Sequence, residues 1–134
     1  MKTILIVDDS KVMRDSLEEI VNNDPNLQVC GFAKDGAEAI KAASSLSPDL
    51  VLLDMEMPEW DGMGFLRHYR HEYSGKVIVL SAIVSGVMKP IGSAAEKHGA
   101  DAVMPKPKGS ELDGGEGELG TQLVAKIYEI LGLC

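Results

Sequence analysis

Side chains at four points along the sequence have the types that a single phosphoryl-transfer site needs: the paired acids Asp8 and Asp9, the acid Asp54, the hydroxyl of Ser81 and the amine of Lys106. Three carboxylates brought to one edge would raise each other's pKa, and they would not all stay ionised near neutral pH without a counter-charge. A divalent cation supplies one. Carboxylate oxygens, waters and a phosphate are the hard donors that Mg²⁺ favours, and no His or Cys cluster points to Zn²⁺. Asp54 is the candidate nucleophile, placed to attack phosphorus and carry an acyl phosphate. The cation and the Lys106 ammonium would offset charge on the phosphoryl oxygens, and the Ser81 hydroxyl would donate the remaining hydrogen bond. The backbone carbonyl of Glu56, two residues past Asp54, is a further candidate metal ligand. The expected catalytic set is therefore Asp54, Ser81 and Lys106, and the expected metal set is Asp8, Asp9, Asp54 and Glu56.

These residues converge only if the chain folds in a particular way. Each follows a short apolar run: Thr3 to Val7 before Asp8, Leu50 to Leu53 before Asp54, Lys76 to Leu80 before Ser81, and Ala102 to Met104 before Pro105 and Lys106. Continuous β-branched and aliphatic runs of this length suit strands buried on both faces. Leu27 to Ala33 reads as another strand. Helical spacing separates the strands. Ser10 can cap a helix with Val12, Met13, Leu17, Ile20 and Val21 on its apolar side, ending near Asn22 and Asn23. Asp35 to Leu46 follows with Ala37, Ala39, Ile40 and Ala43 inward. Gly62 to Tyr73 reads as a third helix, Pro90 to His98 as a weaker fourth ended by Gly99, and Leu119 to Leu131 as a fifth.

Strict alternation of strand and helix predicts an α/β fold: a doubly wound parallel sheet of flavodoxin type, a (βα)5 three-layer sandwich with strand order 2-1-3-4-5. In such a sheet the carboxyl ends of all strands lie along one edge, so the four loops would meet there.

Bulk properties agree with one domain spanning residues 1–134. A chain of 134 residues has room for one core, and 45% hydrophobic with 25% charged residues is ordinary for a soluble globule. A formal net charge of -8 argues against nonspecific binding to nucleic acid or anionic membranes. No apolar stretch approaches the roughly 20 residues needed to span a bilayer, and the start carries no signal-peptide pattern, so the expectation is a cytoplasmic protein with no membrane insertion. Cys30 and Cys134 have no motif partners and are expected to be reduced, Cys30 as a small core residue. Asp61 reads as a helix cap rather than a ligand, Trp60 as loop packing, and His68, His71 and His98 as surface residues.

Taken as a set, Asp8-Asp9, the run from Asp54 through Glu56 and Pro58 to Gly62, Ser81-Ala82 and Lys106-Pro107 resemble the receiver domains of two-component response regulators, over essentially the whole chain. Within that family the chain is most similar to the receiver at the front of chemotaxis methylesterases. Glu56, a lengthened segment between Ser81 and Lys106, and Pro105-Lys106-Pro107 followed by a Gly-rich stretch point that way. The resemblance implies phosphorylation of Asp54 by a histidine kinase, a Mg²⁺ requirement, and a phosphorylation-dependent shift of a surface built from the fourth helix, last strand and last helix. A downstream effector or a methylesterase domain would be the second partner. Where the family usually carries an aromatic residue three positions before the lysine, this chain has Val103. The acidic, Gly-rich stretch from Gly109 to Gly120 is expected to shape partner choice.

Three functional readings follow. One is a non-enzymatic phosphoacceptor module with at most weak autophosphatase activity. Another is the regulatory fragment of a methylesterase, since no Gly-x-Ser-x-Gly nucleophile motif is present in these residues. The last is a constitutive pseudo-receiver, suggested by Val103.

Overall fold

The buried aliphatic runs become five parallel strands, β1 (Lys2–Val7), β2 (Leu27–Ala33), β3 (Leu50–Asp54), β4 (Lys76–Ser81) and β5 (Ala102–Pro105), in the order β2-β1-β3-β4-β5. This is the expected order, with chain crossing over between β2 and β3. The computed structural model describes residues 1–54, 62–81, 97, 99–105 and 118–133. Four helices lie among them: α1 (Lys11–Asn22), α2 (Gly36–Leu46), α3 (Gly62–Tyr69) and the C-terminal α4 (Glu118–Leu131). The helix expected over Pro90 to His98 and most of the Gly-rich stretch before α4 lie outside the described residues.

Alternation along each strand builds the layers, because successive side chains leave opposite faces of a sheet. Leu5, Val7, Val51, Leu53, Val77 and Val79 point to one face and pack with Ala39 and Ala43 of α2 and Phe65 and Leu66 of α3. Ile4, Ile6, Leu50, Leu52, Ile78 and Leu80 point to the other and pack with Leu17, Ile20 and Val21 of α1 and Leu123 and Ile127 of α4. Burying each such side chain stabilises the fold by roughly 1.5–3 kcal/mol before chain entropy is counted. The strands therefore need no polar face, which is why they read as continuous runs.

Two helical positions differ from expectation. Val12 is 75% exposed and Ala37 is also exposed, although both were expected inward. At 100° per residue each lies well round the helix from the buried face, which is centred on Leu17, Ile20 and Val21 in α1 and on Gly36, Ala39 and Ala43 in α2. Gly62 to Tyr73 also differs: it is an α-helix only to Tyr69, followed by a 3-10 turn over Arg70–Glu72. Tyr73 turns into the core there, edge-on to Phe65 at 6.4 Å between ring centres, and its amide bonds to both Tyr69 and Arg70 carbonyls. Such tightening is how a last helical turn satisfies its carbonyls when the chain bends sharply.

The sheet edge where the strands begin is laced by side chains. The Asp49 carboxylate accepts from the amide and the hydroxyl of Thr3 at 2.8 and 3.1 Å. Arg70 donates to the Gly99 carbonyl at 2.7 Å and the Tyr73 carbonyl at 2.8 Å, and meets Asp101 at 3.2 Å. Gly99, read from the sequence as a helix terminator, has φ of 103°, in the left-handed region that favours glycine. α4 is tied down from the side, since the Tyr128 hydroxyl donates to the buried Asp24 carboxylate at 2.6 Å. Among the described residues no helix is long and apolar enough to cross a membrane.

Candidate functional site

The opposite edge, where the strands end, carries the acids. Val7 is aligned with Leu53 in the β1–β3 ladder, so Asp8 follows β1 at the level where Asp54 closes β3. Asp54 in turn is aligned with Leu80, and Ser81 with Pro105. Register thus brings Asp8 and Asp54 to one level and Ser81 one residue beyond it, beside Pro105, which Lys106 follows in sequence. Asp8, Asp54 and Ser81 are buried, while Asp9 is exposed. One carboxylate oxygen from each of Asp8, Asp9 and Asp54 lies within 4.8 Å of the other two.

Local chemistry holds this arrangement. Ser10 has extended backbone and caps α1, its hydroxyl accepting from the Met13 amide at 3.3 Å. The aspartates are thus spared the capping role that a simpler reading would assign them. Asp8 is restrained at three polar atoms: its amide donates to the Ala33 carbonyl at 3.0 Å, one carboxylate oxygen accepts from the Ser10 amide at 2.9 Å, and its carbonyl accepts from the Arg14 guanidinium at 2.8 Å. The Arg14 contact was not foreseen from sequence, because an arginine on the second turn of a helix carries no mark that separates it from a solvated one.

Of the residues singled out from the sequence, three acids are brought together at this edge. These are Asp8, Asp9 and Asp54, and Ser81 ends the neighbouring strand one residue beyond the level of Asp54. Lys106 and Glu56 lie outside the described residues, as do Trp60, Asp61 and His98. His68 and His71 are exposed, as expected. Val103 is aligned with Val79 and packs, partly buried, against the sheet face that carries α2 and α3. Cys30 is partly buried against the same cluster, and burial pushes its thiol pKa up from the ordinary value.

Three carboxyl oxygen donors, two of them from buried residues, form a set suited to a hard divalent cation rather than to the nitrogen and sulfur ligands that Zn²⁺ favours. The profile of the response regulator receiver domain family matches residues 4–113. The chain belongs to this family.

As a receiver it is similar over most of its length to part of much longer proteins. It is 41% identical over 126 residues to a protein-glutamate methylesterase/protein-glutamine glutaminase of Pyrococcus abyssi, covering 94% of this chain and 34% of that protein. A Myxococcus xanthus protein of the same name is 42% identical over 108 residues, 81% of this chain and 30% of that one. The receiver thus spans about a third of the length of these relatives. Among solved structures, the response regulator domain of Thermotoga maritima CheB superposes with a TM-score of 0.85 at 32% identity, covering 98% of this chain and 97% of that one. A structure of the P1 domain of CheA3 in complex with CheY6 from R. sphaeroides matches with a TM-score of 0.78 at 32% identity, covering 98% and 97%. The receiver is therefore of the kind found in chemotaxis regulators of the CheB type.

Proposed function

We propose that residues 1–134 form one cytoplasmic receiver domain in which Asp54 takes a phosphoryl group from the phosphohistidine of a histidine kinase. A carboxylate oxygen of Asp54 attacks phosphorus, the phosphorus–nitrogen bond breaks, and the imidazole leaves, taking up a proton. The product is an acyl phosphate on Asp54. Asp8, Asp9 and Asp54, with the Glu56 carbonyl, are the residues that would hold Mg²⁺, which when bound supplies neutralising charge to the phosphoryl oxygens. Lys106 would pair with the same oxygens, and Ser81 would donate a hydrogen bond to them. The observation that carries this reading is the meeting of three carboxyl groups, two of them buried, within 4.8 Å of one another at one edge of the sheet.

The R. sphaeroides complex, a receiver held by a kinase P1 domain, supports a kinase as phosphodonor. The names of the longer relatives support a methylesterase domain, outside these residues, as the output that phosphorylation controls. This chain would then act as the regulatory part, with no hydrolase activity of its own. Intact-mass measurement after incubation with acetyl phosphate and MgCl₂ tests the core of it. Wild type should gain one phosphoryl group, and Asp54→Ala, or wild type in EDTA, should gain none.

Val103 favours a second reading, a receiver that binds its partner constitutively, because a partly buried valine has no ring to swing between two positions. Absence of any mass gain on wild type would favour that reading over phosphorylation.

A further inference from the structure

We infer that Arg14 is a positioning residue for the cation site: it acts through the Asp8–Asp9 peptide and sets both the affinity and the Mg²⁺ over Ca²⁺ preference of the three carboxylates. The inference rests on the phosphoryl-transfer reading above and concerns a residue that neither the sequence motifs nor the resemblance assigns to the site.

The geometry points to Arg14 for three reasons. Its guanidinium donates to the Asp8 carbonyl at 2.8 Å, reaching back from α1 to the loop that carries the acids. Asp8 is fixed at its amide by the Ala33 carbonyl and at one carboxylate oxygen by the Ser10 amide, and Arg14 adds a restraint at its carbonyl. That carbonyl belongs to the peptide leading into Asp9, the exposed member of the cluster. Holding the peptide plane limits where the Asp9 carboxylate can sit. Arg14 is itself placed by the helix start, since its amide makes the first helical bond to the Ser10 carbonyl at 2.9 Å.

Two consequences of the guanidinium oppose one another, and their signs differ. As a nearby positive charge it repels a cation, so removing it should tighten binding. As a restraint on the ligand loop it preorganises the site, so removing it should weaken binding. Outer partners of metal ligands are typically worth about tenfold to a hundredfold in affinity. The repulsion comes from one delocalised guanidinium charge on a half-buried side chain, set against three carboxylates in the cluster. The restraint should therefore dominate. Mg²⁺ demands near-ideal octahedral geometry, whereas Ca²⁺ tolerates irregular sites. Loosening the loop should consequently harm Mg²⁺ binding more than Ca²⁺ binding.

The test is titration calorimetry of the 134-residue chain with MgCl₂ and with CaCl₂, for wild type, Arg14→Met and Arg14→Lys, alongside thermal melts without metal. Arg14→Met should bind Mg²⁺ about ten to a hundred times more weakly and lose less of its Ca²⁺ affinity. Arg14→Lys, which keeps a donor and the charge, should recover part of the Mg²⁺ affinity. Equal or tighter Mg²⁺ binding by Arg14→Met overturns the inference, and so does a parallel loss of both ions, which is what a merely structural role would give. If Arg14→Met does not fold, Arg14→Gln carries the same comparison: a drop in Mg²⁺ over Ca²⁺ preference supports the inference and an unchanged preference overturns it. Failure of wild type to bind Mg²⁺ would instead remove the phosphoryl-transfer reading on which the inference stands.

Discussion

Asp8 and Asp54 stand at the same level of adjacent parallel strands, both buried, because Val7 is aligned with Leu53. Only the folded chain brings these two acids together where they could share a cation. A cation bound only by the native state stabilises it by mass action, about 2.7 kcal/mol at a hundredfold excess over the dissociation constant. Thermal melts with and without MgCl₂ should show this gain for wild type. Asp54→Ala, with one ligand missing, should show little of it. Identical melts for wild type under both conditions would mean that the cluster takes up no Mg²⁺.

The hydroxyl of Tyr128 joins α4 to the loop between α1 and β2 through Asp24. A hydrogen bond to a charged group contributes about 1.5–3 kcal/mol, and its loss leaves a buried carboxylate short of a donor. Tyr128→Phe should lower stability by that amount in urea unfolding. It should leave phosphorylation of Asp54 in place, since Asp24 takes no part in the acid cluster.

Tyr73 predicts a pH dependence. Burial pushes its phenol pKa well above the ordinary value of 10.0, and its hydroxyl donates to the Pro48 carbonyl at 2.7 Å. In the unfolded chain the phenol loses its proton near pH 10, whereas in the native state it keeps it. The native state therefore binds more protons above that pH, and stability falls as pH rises. The contribution is fully present below about pH 9. Urea midpoints measured between neutral pH and about pH 11 should decline for wild type and decline less steeply for Tyr73→Phe.

Gly75 is a position where a side chain has no room. A Cβ there would meet the Tyr73 hydroxyl and come within 2.8 Å of the Asp49 carbonyl oxygen. Gly75→Ala should cost about 1–3 kcal/mol, the usual penalty for overpacking, read as a lower melting temperature. Combining it with Tyr73→Phe should relieve only part of that penalty, because the hydroxyl is gone while the ring carbon that bore it and the Asp49 carbonyl oxygen still obstruct.

The five strands and the positions of Asp8, Asp54 and Ser81 at their ends were legible in the sequence. Strands buried on both faces need unbroken aliphatic runs, and a polar residue ends such a run wherever it stands. Ser10 as the cap of α1 was legible for a similar local reason: its hydroxyl serves an amide three residues away. The facing of Val12 and Ala37 was not, since each adjoins the apolar stripe of its helix and only the seating of the helix on the sheet decides how wide a stripe is covered. Nor were the ties of Arg14 to Asp8, Tyr128 to Asp24, and Arg70 to Gly99 and Asp101. Arginine, tyrosine and aspartate at such positions are chemically the same residues that serve elsewhere as solvated surface. What the sequence by itself determined is the local pattern: hydrophobic period, capping, and the kinds of chemistry available at each strand end. Tertiary structure alone decided the partners, because register and helix placement select which distant polar atoms fall within about 3 Å, the range in which a hydrogen bond has directional strength.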